Sequence, residues 1–188
     1  MTAVLLGAAI FLIVGVIAYG ATIYNGLIVV KNNIAKAWGN IDVMLKQRHD
    51  EIPKLIKVCE GYMHYEKKVL TEIIALRSSA QSAQSVAVKA LKEGQLTQGL
   101  HRLFAVAENY PELKAQASFN QLQGRISDLE NQIADRREFY NESVNNYNIR
   151  IQSLPDKIIA DWMALVAQEM FKISDDDRRD VSIDIKTP

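Results

Sequence analysis

The chain has one cysteine, four prolines and two tryptophans in 188 residues. A single cysteine excludes an intrachain disulfide framework. So few prolines leave long stretches free to stay helical. Net charge is also missing, since Lys+Arg and Asp+Glu each number 22. There is no basic block for nucleic acid and no acidic tail. No His-Glu-x-x-His, phosphate-cradling glycine loop, Cys-x-x-Cys or nucleophile elbow occurs. His49, His64 and His101 read as surface or hydrogen-bonded residues, because their acidic neighbours in sequence fall on other helix faces. The expectation is a protein that is not an enzyme, with no catalytic residues, cofactor or metal.

The most informative lack is of charge in residues 2–24. About 20 apolar residues suffice for a helix to cross the hydrocarbon core of a bilayer. No basic residue precedes the run and no small-x-small cleavage site follows it, so it reads as an uncleaved anchor and not a signal peptide. Gly7, Gly15 and Gly20 are unevenly spaced and form no G-x-x-x-G dimerisation motif. Lys31, Lys36, Lys46 and Arg48 all follow the run. The positive-inside rule then puts the short N-terminus outside and the rest of the chain in the cytoplasm.

The remainder reads as all α. Ile34, Trp38, Ile41, Leu45, Arg48, Ile52, Leu55, Cys59 and Tyr62 step by alternating fours and threes, and Glu66, Val69, Ile73 and Leu76 continue the pattern. This is the seam of a helix packed lengthwise on partners. Cys59 lies on that seam as a buried thiol acting as a small hydrophobe. Pro53 marks either a kink in one long helix or a turn between two. Residues 78–90 read as a thin, Ala-rich helix in preference to a linker, and Glu93-Gly94 as a stop. A short helix is expected over 96–108, broken at Asn109-Tyr110-Pro111. Phe119, Leu122, Ile126, Leu129, Ile133, Arg136 and Tyr140 form the next stripe, which shifts phase through Val144, Tyr147, Ile151 and Leu154. Arg48, Glu66 and Arg136 interrupt apolar seams and are expected to find partners inside the chain.

Residues 156–173 carry a wide apolar face that includes Trp162, and read as a C-terminal amphipathic helix. Beyond it, residues 175–180 read as a solvated turn and Val181, Ile183 and Ile185 as strand-like. The wide face suits a contact surface, either the inner leaflet or a second subunit. The subunit is favoured because the polar face has no run of Lys and Arg. The division expected is residues 1–24 as anchor, 25–154 as helical bundle, and 155–188 as amphipathic helix and tail.

Several motifs together are similar to those of a known family. Tyr24-Asn25, Ala37-Trp38, Ile41-Asp42-Val43, Leu45 to Asp50, Ile52-Pro53 and Gly61-Tyr62 resemble the opening of the LemA family. Ala107 to Ala115, Phe119 to Leu122, Glu130 to Ala134, Arg136-Arg137, Phe139-Tyr140-Asn141 and Tyr147-Asn148 resemble its central part. The resemblance implies a bacterial inner-membrane protein with one spanning helix. Its elongated, antiparallel up-and-down bundle would have three to four long helices, with Pro53 near a turn. The family is associated with membrane stress, with neighbouring membrane metalloproteases and, in one branch, with building internal membranes. Two functions follow as expectations. One is a non-enzymatic scaffold or assembly protein, a homo-oligomer held to lipid by its N-terminal helix. The alternative is an adaptor or regulator of a membrane metalloprotease.

The residues singled out as membrane-proximal or partner contacts are Tyr24, Asn25, Tyr140, Asn141, Tyr147, Asn148 and Trp162. Tyr140-Asn141 and Tyr147-Asn148 repeat one heptad apart and so share a helix face. They suit either a Tyr/Asn belt at the headgroups or internal hydrogen bonds that set register. The internal role is favoured for the asparagines.

Overall fold

A computed structural model describes residues 1–172. The regions 175–180 and 181–185 lie outside the described residues. Six helices occur in order: α1 (Thr2–Glu60), α2 (Lys67–Gln81), α3 (Val86–Ala107), α4 (Pro111–Lys114), α5 (Ala117–Gln152) and α6 (Asp156–Trp162). The described chain contains no strand. The described residues group into two compact units, residues 1–38 with 142–168, and residues 39–141 with 169–172.

The first unit begins with the charge-free part of α1. Its side chains are exposed as far as residue 19, and the first buried one is Ile23. This part is long and apolar enough to cross a membrane. From Ile23 onward the unit has its own core of Ile23, Leu27, Ile34, Ala37, Val144, Tyr147, Ile151 and Ala160.

The second unit is an up-and-down bundle of α1, α2, α3 and α5, and the side-chain pairings fix its directions. Asp42 meets Lys89 and Arg48 meets Glu93, so α1 and α3 run the same way. Arg48 meets Glu130 and Glu51 meets Arg125, so α5 runs opposite to α1. Arg102 meets Glu72, while Gly99 sits against Leu76 and Ile73, so α2 opposes α3. A Cβ at Gly99 would come within 2.9 Å of Leu76 Cδ1 and 3.0 Å of Ile73 Cδ1, which shows how closely α2 and α3 approach. The core holds Ile52, Leu55, Cys59, Met63, Leu70, Ile73, Leu96, Leu100, Leu103, Phe119 and Ile126.

Helix α1 passes through Pro53 without a break, and the turn expected near that proline comes eight residues later at Gly61-Tyr62. Proline has no N–H, so the carbonyl of His49 loses its helical donor. The Arg77 guanidinium supplies a replacement, donating Nε–H to that carbonyl at 2.7 Å. Pro53 itself lies on the exposed side of the helix.

Other boundaries differ from expectation for local reasons. The helix expected through 78–90 is interrupted, because Ser85 caps a new helix by accepting the Val88 N–H at 3.2 Å. Helix α3 then runs through Glu93-Gly94 instead of stopping there. A glycine inside a helix costs only about 1 kcal/mol, and the packing of Ala90, Leu96, Gly99 and Leu100 outweighs it. The seam of α5 also departs from the expected stripe. Arg136 is exposed, and Arg137 sits over the Phe171 ring at 4.9 Å, because the step changes to four and then three at Ile133. The C-terminal helix is present but short, ending at Trp162. The peptide bond Leu154–Pro155 before it is cis.

Candidate functional site

In the second unit, Arg48 is the hub of a buried ion network. It is 1% exposed. Nη2 donates to Glu93 Oε2 at 2.5 Å, and Nη1 donates to Glu130 Oε1 at 2.9 Å and to Thr97 Oγ1 at 2.8 Å. His49, one residue on, reaches Glu93 Oε1 through Nε2 at 2.9 Å. His101 meets the other Glu130 oxygen at 3.0 Å. One guanidinium thereby ties α1 to α3 and α5. Buried, Glu51 holds Arg125 at 2.8 Å beside it.

Burial pushes the Glu93 carboxyl up. The His49 hydrogen bond and the Arg48 charge more than offset this, and the net shift is downward. A carboxylate so held is a poor proton acceptor. A cleft of about 260 Å³ opens beside His49 and Glu93, lined also by Asp42, Leu45, Lys46, Gln81 and Lys89. Among the described residues no three His, Cys, Asp or Glu side chains are grouped to hold a metal ion. Burial also drives the Cys59 thiol up to about 12, which leaves it unreactive as a nucleophile. Glu66 accepts from the Tyr110 hydroxyl at 3.3 Å. The network was half legible in sequence. Arg48 stood out on its seam, but Glu93 and Glu130 come from remote helices, and the only local hint is the i, i+3 placement of Glu93 between Ala90 and Leu96.

The Tyr-Asn repeat makes a second arrangement, in the same form in each unit. In the first unit, Asn148 brackets Gln168. Its Nδ2 donates to the Gln168 carbonyl at 3.0 Å, and its Oδ1 accepts the Gln168 N–H at 2.9 Å. Tyr147 donates its hydroxyl to the Val166 carbonyl at 3.1 Å. In the second unit, Asn141 brackets Phe171 at 3.3 Å and 2.7 Å, and Tyr140 donates to the Glu169 carbonyl at 3.0 Å. In both cases the tyrosine takes the carbonyl two residues before the one that the asparagine brackets. Burial raises both tyrosine hydroxyls above their ordinary range.

The remaining singled-out residues lie in the first unit. Tyr24 meets Trp162 edge-on, with ring centroids 6.3 Å apart. Asn25 is exposed on α1. Arg150 lies against Gly26, where a Cβ would collide with its guanidinium, and pairs with Asp156.

Comparison with known proteins places this architecture. The LemA family model matches residues 37–185. The chain belongs to the LemA family. It is similar to magnetosome protein MamQ 2 of Paramagnetospirillum magneticum, at 23% identity over 79% of this chain and 65% of that protein. Magnetosome protein MamQ of Magnetospirillum gryphiswaldense is 22% identical over 76% of this chain and 61% of its own length. Protein LemA of Metamycoplasma hominis is 27% identical over 84% of this chain and 72% of its own. The chain thus spans just under two thirds of the MamQ proteins. The family match begins after the apolar part of α1, which is the candidate membrane anchor. Neither the family nor these relatives are named for a reaction.

Proposed function

We propose that this LemA-family protein is a non-enzymatic, membrane-anchored scaffold that self-associates at the cytoplasmic face of the bacterial inner membrane. The observation that carries the reading is α1. One unbroken helix bears both the uncovered apolar run and Arg48, the hub of the bundle's internal pairing. The buried polar groups are spent on holding helices together, which suits a structural part. The relatives named after the magnetosome bear the name of a structure, not of a reaction. The exposed lysines after the run, Lys31 and Lys36, support the cytoplasmic side. Val43, Ile74 and Val88 project half-exposed from three helices and give a second copy apolar surface to meet.

Two measurements test this. The mass of the full-length protein in mild detergent should be that of a homogeneous assembly, and a monomer would favour an adaptor for a membrane protease instead. Protease added to intact spheroplasts should leave the bundle uncut, and digestion without lysis would overturn the orientation.

A further inference from the structure

Leu154, Ile158 and Trp162 stand four residues apart and are 75%, 64% and 78% exposed. Ile158 and Trp162 share one face of α6, and Leu154 is exposed in the turn that precedes it. Ala160, on the other side, is buried. The charges beside the stripe neutralise each other, since Lys157 pairs with Asp161 at 3.0 Å. Three large apolar side chains left uncovered on and beside one short helix mark a contact surface.

Where that surface lies is set by Tyr24. It follows Ile23, the first buried side chain of α1, and precedes Lys31, the first charged one, and its ring meets Trp162 at an interplanar angle of 61°. Tryptophan and tyrosine concentrate at the membrane–water boundary, where one end of the ring is apolar and the other wet. The stripe is therefore continuous with the end of the apolar helix.

We propose that α6 is a membrane-interface element, with Leu154, Ile158 and Trp162 seated between the headgroups and acyl chains of the bilayer that α1 crosses. This rests on the membrane-anchored reading. A free-standing interfacial helix needs a basic polar face for attachment. Here α1 supplies attachment, so a seven-residue helix needs only apolar depth. The surface serves lipid and not a second copy. It sets how closely the first unit sits to the membrane, a role separate from self-association.

The test uses the full-length chain with fluorotryptophan at Trp38 and Trp162, in vesicles of phosphatidylcholine with a minor fraction of phosphatidylglycerol. Flotation of the vesicles first checks anchoring by itself. Fluorine NMR then compares a lipid nitroxide near the headgroup with a water-soluble paramagnetic agent, the two signals being assigned with Trp162→Phe. A side chain seated at the boundary should be broadened about threefold or more over Trp38 by the lipid probe, and spared by the aqueous one. Broadening by the aqueous agent alone would place α6 in water and overturn the proposal. Protection from both agents would mean that protein covers the stripe, and would overturn it equally. As a second measure, Ile158→Glu should weaken the lipid broadening of Trp162 at least about twofold, because a charge resists the boundary region. Lipid broadening unchanged by that substitution would count against the proposal.

Discussion

The Arg77 guanidinium donates to the carbonyl of His49, the one that Pro53 leaves without its helical partner. This single bond lets a proline sit inside a long helix, and it can be tested directly. Arg77→Ala should lower stability by about 1–2 kcal/mol, the cost of an orphaned polar group. In a Pro53→Ala background the helical N–H returns, so the same substitution should cost clearly less. Thermal unfolding of the four chains of this double-mutant cycle, followed by circular dichroism in detergent, measures the coupling. Equal costs in both backgrounds would show that Arg77 acts otherwise.

Arg48→Ala leaves the buried Glu93 carboxylate without its guanidinium. Breaking a buried pair from one side costs about 3–5 kcal/mol. The melting temperature should fall steeply, and a double substitution Arg48→Met with Glu93→Leu should recover much of the loss. An unchanged melting temperature in Arg48→Ala would show that the network is not structural.

The network also makes stability depend on pH in a defined direction. The Glu93 carboxyl is lowered from its ordinary value of 4.5 in the folded chain. The unfolded chain therefore takes up its proton first as pH falls. The resulting stability is fully present above about pH 4.5 and is lost as pH drops through the lower folded value. Glu93→Gln should flatten this acid limb in denaturation curves recorded across that range. An acid limb identical to that of the parent chain would assign the effect to other carboxylates.

Asn148 holds Gln168 by both an acceptor and a donor. Asn148→Ala should speed hydrogen exchange of the Gln168 amide and cost about 1 kcal/mol, as for a net hydrogen bond. Asn148→Asp retains the acceptor and loses the donor, so the amide should stay protected in that variant. Equal exchange in both variants would show that the amide is protected by something else.

Ala164 ends α6 with φ of 51°. The Leu165 N–H reaches back to the Ala160 carbonyl at 3.0 Å, the pattern that usually places glycine at this position. Left-handed backbone costs a residue with a side chain about 1–2 kcal/mol, and glycine gives back part of the gain through unfolded-state entropy. Ala164→Gly should leave the melting temperature level or raise it by a few degrees, whereas Ala164→Val should lower it.

Much of the bundle was legible because burial on a helix has a period. The seam through Ile34, Ile41, Leu45, Ile52, Leu55 and Cys59 reads directly, and all six are buried. What misled the reading were local signals that long-range groups override. Pro53 looks like a break until Arg77 is brought to the His49 carbonyl. Glu93-Gly94 looks like a stop until the packing of α3 against its neighbours is counted. Ala164 gives no sign of a helix end, because nothing in its side chain demands a left-handed backbone.

The sequence by itself determined the uncharged run, the all-helical character and the two Tyr-Asn pairs on one face. All three depend on composition and spacing along one element, where neighbours in sequence are neighbours in space. Only the tertiary structure decided who meets whom. It brought Glu93 and Glu130 to Arg48, Arg77 to His49, Gln168 and Phe171 to the asparagines, and Trp162 to Tyr24. The physical reason is that a donor at the end of a long side chain is satisfied equally well by any acceptor within reach. Its choice among them is fixed by the packing of the helices that carry them.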